Sequence, residues 1–201
     1  LAPSLLAELR DTKPALIEFL KLNGPITANK PVADSLDSSQ LLNLAPEYVD
    51  QITAAVPGGA ANVQDIYPLA PLQEGILFHH LMESKGDAYL LPYLMAFDTR
   101  ERLDGFLAAL QAVVDRHDIL RTAMAWEGLP EPVQVVWRTA ELAIEEVVID
   151  LEAGEAAEQL SERYHPRHYR VDVRQAPLIN GYTAYDPKEK RWLLLLLTHH
   201  L

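Results

Sequence analysis

Trp192-Leu193-Leu194-Leu195-Leu196-Leu197-Thr198-His199-His200-Leu201 stands at the end of the chain. Five consecutive leucines offer water no polar side, so the run predicts a strand buried on both faces, and the core holds whatever follows it. Two histidines at the end of such a strand admit two readings. An imidazole, whose ordinary pKa is ~6.5, takes or gives a proton near neutral pH and serves as a general acid or base. Equally, one of the pair closes a hydrogen bond where the strand stops, and Thr198 to Leu201 do not decide between the two.

Outward from this strand, 201 residues make one domain at the upper edge of ordinary size, or one domain with an appendage. A hydrophobic content of 49% is ample for a packed core. The net charge of -12 argues against nucleic acid or an anionic membrane as partner, since both call for clustered Lys and Arg. There is no cysteine, which removes disulfides, thiolate nucleophiles and cysteine-metal sites together and fits a reducing, cytoplasmic setting. No stretch reaches the ~18 apolar residues of a membrane span. Leu1-Ala2-Pro3-Ser4 has neither an initiator Met nor a basic signal region, so the chain is expected to be a piece cut at both ends.

Leucines at helical spacing between Leu5 and Leu20 predict a short helical pair over residues 1–24, closed by Asn23-Gly24. Residues 25–63 have a linker composition with one helix, capped by Ser38 or Ser39, running through Leu41, Leu42, Val49 and Ile52 and ended by Pro57-Gly58-Gly59. From there the pattern is dense. Pro71 opens a helix expected to carry Leu72, Ile76 and His79 on one face. Tyr89 to Phe97 reads as a strand in which Pro92 suggests an edge or a bulge. Leu103 to Val113 follows as an amphipathic helix ending at His117. Alternation in Thr122, Met124, Trp126 and in Val133, Val135, Trp137 argues a hairpin. Ala143 to Ile149 is a strand, Ala156 to Tyr164 a helix, and Ile179 to Tyr185 pairs with Trp192 to Thr198. Helices and strands mix irregularly, which fits an α/β sandwich.

Gly58-Gly59 lacks the lysine and spacing of a phosphate-binding loop, and no GxGxxG follows a strand. His165-Pro166-Arg167-His168 and the two His-His pairs offer imidazoles, but adjacent histidines do not easily face one ion and there is no HExxH, so no metal is expected.

Three segments in order are far more specific. Tyr67-Pro68-Leu69-Ala70-Pro71-Leu72-Gln73-Glu74-Gly75, then Arg116-His117-Asp118-Ile119-Leu120-Arg121-Thr122, then Thr198-His199-His200-Leu201 resemble the opening half of a condensation domain of non-ribosomal peptide synthetases. The second core motif of that family, roughly RHExLRTxF, stands here with Asp118 for Glu and Met124 for Phe. The active-site motif HHxxxDG is present only in its first three positions. A finer likeness lies in His79-His80-Leu81-Met82-Glu83-Ser84-Lys85-Gly86-Asp87, which is similar to the HH(I/L)xxxxGD element of dual epimerization/condensation domains. A helix followed by a natural turn is the plain structural alternative for this segment.

The resemblance implies the N-terminal lobe of a chloramphenicol-acetyltransferase-like sandwich over residues 64–201. It implies an acyltransferase-type enzyme that joins a carrier-bound donor thioester to a carrier-bound acceptor amine in secondary-metabolite or antibiotic biosynthesis. His200 is then the catalytic histidine and His199 its supporting neighbour. His79, His80, Gly86 and Asp87 form the epimerization motif, while Arg116, His117 and Arg121 are structural. No cofactor is bound directly; 4'-phosphopantetheine sits on the donor and acceptor carrier domains. The complementary C-terminal lobe is a further partner, without which these 201 residues are expected to be inactive. Residues 1–24 resemble the last helices of synthetase docking domains, which would bring an upstream subunit as partner, though a plain helical spacer fits as well. The alternatives are a starter or non-epimerizing condensation domain, and a non-catalytic docking fragment.

Overall fold

The computed structural model describes residues 44–150 and 152–201, which lie within one unit of the chain, residues 37–201. The helical pair and docking segment expected over residues 1–24 lie outside the described residues.

The first described helix, α1 (Pro46–Ala55), corrects the helix expected from Ser38 or Ser39 through Ile52. Ala45 is extended, with φ -65 and ψ 148, and Pro46 occupies the first helical turn. The proline ring crowds the residue before it out of helical geometry, so the helix that holds Val49 and Ile52 starts at Pro46; the part of the expectation before residue 44 lies outside the described residues. After a single turn of 3-10 helix at Gly59–Asn62, β1 (Val63–Pro68) occupies a stretch whose sequence shows no clear alternation. Then come α2 (Pro71–Met82), β2 (Leu90–Phe97) and α3 (Arg100–Arg116). A second 3-10 turn at Asp118–Arg121 leads to β3 (Thr122–Ala125) and β4 (Val133–Trp137), the expected hairpin. The chain finishes with β5 (Ala143–Glu146), α4 (Ala156–Arg163), β6 (Ile179–Asp186) and β7 (Arg191–His199).

Two sheets form. The smaller runs β1-β4-β3 and the larger β2-β7-β6-β5. In the larger, β7 is antiparallel to both neighbours and β5 is parallel to β6. Pro92 sits on the edge strand β2, where its missing N–H costs the sheet least. The leucine run explains this placement. Leu193, Leu195 and Leu197 face one core with Leu160, Val173 and Tyr182, while Leu194 and Leu196 face another with Leu103, Val114 and Ile179. Successive strand side chains point to opposite faces, so an all-leucine strand is stable only where both faces are covered. Here α4 covers one face and α3 the other. A third core joins Ile52 and Val56 of α1 to Ile66, Val133, Val135 and Trp137 of the small sheet.

On α2 the buried face is not the one expected. Ile76, Leu77 and His80 are buried, whereas Leu72 and His79 are exposed. A rotation that buries His80 requires a polar partner inside, which the Asp87 carboxylate supplies. No helix among the described residues is long and apolar enough to cross a membrane.

Because Leu197 is fully buried in the central strand, Leu197→Ala should cost about 2–5 kcal/mol. Leu72→Ala, at a side chain that is 75% exposed, should cost at most about 0.5 kcal/mol. Urea-denaturation midpoints of the two variants measure the difference.

Candidate active site

The two histidines at the end of β7 are held by the chain on either side. Register pairs His199 with Leu90 of β2. The His199 amide donates to the Leu178 carbonyl at 3.0 Å, and the His200 amide donates to the Tyr89 carbonyl at 3.1 Å. Strand alternation then separates their fates: His199 points inward on the face of Leu197 and is buried, while His200 is exposed.

Inside, the His199 ring is fully engaged. Its Nδ1 accepts the Leu201 amide at 3.1 Å, so in the neutral ring the proton is on Nε2, which donates to Asp87 Oδ2 at 3.0 Å. The same carboxylate oxygen accepts from His80 Nδ1 at 2.6 Å, and Oδ1 accepts the Tyr89 amide at 2.9 Å. The two imidazoles meet edge to face, 5.5 Å between centroids. Burial pushes the His199 pKa below its ordinary 6.5, and the Asp87 charge only partly offsets that. For Asp87 burial works the other way, but the Tyr89 amide, the His80 hydrogen bond and the neighbouring imidazoles outweigh it and hold the carboxyl below 3.8. An ionised aspartate that accepts from both imidazoles results.

The turn that delivers Asp87 has a specific construction. Gly86 takes φ +70, and a Cβ there would lie 2.4 Å from the Arg167 carbonyl oxygen, so no larger residue fits. The Asp87 amide donates to the Pro166 carbonyl at 2.7 Å. Arg170 spans the end of α2, donating to the carbonyls of His80, Glu83 and Gly86. It supplies the cation that helix C-termini favour.

His79, one residue before His80, is exposed and meets the Tyr89 ring edge-on at 6.0 Å between centroids. Tyr89 therefore touches His79 through its ring and His200 through its carbonyl. Arg116 ends α3 and His117 caps it, both exposed, whereas Arg121 is buried. Arg121 donates to the carbonyls of Val114 and Trp137 and to the side chains of Gln64 and Asp118, joining α3 to the small sheet. The fold thus brings His79, His80, Gly86, Asp87, His199 and His200 together and leaves Arg116, His117 and Arg121 apart from them. Missing from the sequence reading were Arg170, which no periodicity marks, and the bond from Asp87 to a histidine 112 residues away.

His80, Asp87 and His199 supply donor types that a transition metal uses, with donor atoms within 4.8 Å of one another. Both nitrogens, however, lie at hydrogen-bond distance from one and the same carboxylate oxygen, which accounts for all three groups. A separate cleft of about 250 Å³ between α1 and the β3–β4 hairpin, lined by Ile52, Met124, Trp126, Trp137 and Arg174, contains none of the motif histidines.

A family model described as Condensation domain matches residues 63–201. Malpinin synthetase of Mortierella alpina is 53% identical over 160 residues, covering 80% of this chain and 2% of that protein. The chain therefore spans only a small fraction of such a relative. Among solved structures, a four-domain nonribosomal peptide synthetase bound to AMP and glycine superposes with TM-score 0.57 at 17% identity, over 69% of this chain and 10% of that one. The starter condensation domain of rhizomide synthetase superposes with TM-score 0.54 at 21% identity, over 68% of this chain and 34% of that one. These likenesses establish the mixed α/β fold as that of the N-terminal part of condensation domains.

A lowered His199 pKa has a thermodynamic consequence. Below the unfolded value of 6.5 the unfolded chain binds a proton that the folded chain refuses. Stability must therefore fall as pH drops through 6.5 toward the folded value. The Asp87 contribution is lost only further down, below 3.8. Thermal melts between pH 7 and 5 should show a shallower acid decline in His199→Gln than in the parent.

Proposed function

The chain belongs to the condensation-domain family, of nonribosomal peptide synthetase type, and from this we propose that His200 is the catalytic histidine of an amide-forming centre shared by two carrier-bound substrates. The reaction joins an amine nitrogen to a thioester carbonyl carbon, breaks the carbon–sulfur bond, and leaves an amide and a free thiol. A thioester is already activated, so much of the acceleration comes from holding two tethered reactants in line. A neutral imidazole at the meeting point accepts the proton of the attacking ammonium group, or donates a hydrogen bond to the tetrahedral intermediate.

One observation carries this assignment: of the two adjacent imidazoles, His199 has both ring nitrogens engaged inside the protein, whereas His200 is exposed and anchored through its backbone. Only the second is free to meet a substrate. Its partners are a donor and an acceptor carrier domain presenting their thiols on 4'-phosphopantetheine, in a cytoplasmic multidomain synthetase. The exposed apolar side chains of α2, Leu72, Phe78 and Met82, support a surface on which the complementary lobe of the domain packs. Without that lobe we expect no turnover.

We further propose that the donor residue is inverted before coupling. The segment from His79 to Asp87 supports this reading through its sequence likeness and through its direct contact with His199. Epimerization removes the Cα proton of the donor thioester and returns one to the opposite face, through an enolate-like state. His200 is the first candidate base, with the exposed His79 beside it. The likeness to a starter condensation domain is one of fold, so it does not favour the acyl-transferring alternative.

In a complete condensation domain containing this chain, His200→Ala should lower amide formation by about 100-fold or more, read from product release with loaded carrier proteins. With the parent domain in heavy water, a donor-loaded carrier should acquire deuterium at Cα. An unlabelled product would remove the epimerization reading and leave amide formation standing.

A further inference from the structure

The motif that resembles an epimerization element divides in the structure into two parts. His79 faces outward, but His80 and Asp87 are buried at 7% and 5% exposure, and their polar groups point at His199. Neither reaches the surface where a thioester would lie. We infer that His80 and Asp87 are positioning residues for the amide-forming centre: together they fix the tautomer and orientation of His199, and through it the backbone that presents His200.

Four bonds make the argument. Asp87 holds the His199 side chain through Oδ2, and with Oδ1 it holds the Tyr89 amide, two residues along. The Tyr89 carbonyl in turn holds the His200 amide at 3.1 Å. On the far side of His200, the Leu201 amide is held by His199 Nδ1 at 3.1 Å. His200 is thus clamped on both sides by groups that trace back to one carboxylate. That second clamp exists only if Nδ1 is unprotonated, which requires the proton on Nε2. Asp87 enforces this, because a carboxylate accepts from Nε2–H and would repel an unprotonated Nε2. His80 completes the arrangement. Its donation to the same oxygen at 2.6 Å orients the carboxylate and compensates a buried charge that one imidazole and one amide would leave short of donors. Gly86 and Arg170 hold the turn at the height this requires.

The assignment rests on the reading of His200 as catalytic, and the test separates the two. In a complete condensation domain containing this chain and labelled with nitrogen-15 histidine, ring-nitrogen NMR should find His199 protonated at Nε2 alone. Asp87→Asn should give a mixed or inverted His199 tautomer. It should also lower kcat for amide formation by about 10- to 100-fold, the scale on which a carboxylate acts through the histidine it orients. The KM for both carriers should stay within about twofold. His80→Asn, whose amide nitrogen takes the place of Nδ1, should remain within about threefold of the parent, whereas His80→Leu should not. In a His199→Gln background, Asp87→Asn should add less than about threefold, since its partner is already gone.

An unchanged His199 tautomer in folded Asp87→Asn overturns the inference, as do unchanged kcat, full additivity with His199→Gln, or stoichiometric zinc in the purified domain. If Asp87→Asn does not fold, the His80 pair decides: equal losses in His80→Asn and His80→Leu overturn it. Should His200→Ala retain amide formation, the catalytic reading fails, while the tautomer measurement still judges the clamp by itself.

Discussion

A buried negative charge must be surrounded by donors, and the Asp87 carboxylate sets that condition for the whole active centre. Out of water an isolated carboxylate would cost many kcal/mol, so it survives only where N–H groups replace its hydration. Three do so here, from His80, Tyr89 and His199. They come from a helix, a turn and the far end of the chain. Satisfying one carboxylate therefore fixes how α2, the Gly86–Asp87 turn and β7 meet.

The leucine strand supplies the other half of that rigidity. With both faces covered, β7 has no freedom to slip, because a shift of one residue would exchange every side chain between its two cores. His199 inherits its inward direction from Leu193, Leu195 and Leu197, all on the same face. Core packing aims the histidine at Asp87, and the hydrogen bonds then set its tautomer. Aliphatic burial and polar satisfaction act in series, the first to about the precision of a side chain and the second to that of a proton.

How much of this was legible in the sequence follows from the range of each interaction. The central strand, the hairpin, the strand with Pro92 and the helix carrying Leu103 to Val113 have local periodicities that the sequence displays. β1 was not, since Val63 to Pro68 lacks regular alternation and acquires its partner β4 about seventy residues away. The α1 boundary was misread because hydrophobic spacing was given more weight than the steric effect of Pro46. The spacing sets His79 on the face of Leu72 and Ile76, whereas the structure buries His80 with Ile76 and Leu77 and leaves His79 and Leu72 exposed. Spacing along one helix carries no sign of a carboxylate seven residues on, and that carboxylate is what draws His80 inward. Arg170 was invisible because its three acceptors are backbone carbonyls, which any sequence supplies.

Adjacent histidines at a strand end are chemically redundant only in sequence. Alternation sends one into the protein and the other out, so a pair is the shortest way to have one imidazole engaged inside and one presented outward. The inner ring cannot be the reacting one: both nitrogens are occupied and burial disfavours its protonated form. The outer ring cannot position itself: it is exposed, and what fixes it is the backbone on either side. Each supplies what the other lacks. The same division appears on α2, where His80 is committed to Asp87 and His79 stands free beside Tyr89. Two histidine pairs, each split across a buried boundary, thus leave two exposed residues tied to Tyr89, His79 through its ring and His200 through its backbone amide, and two buried imidazoles against one carboxylate. The buried pair and Asp87 tie the end of α2 to the end of β7, and the Tyr89 carbonyl carries that link to the His200 backbone.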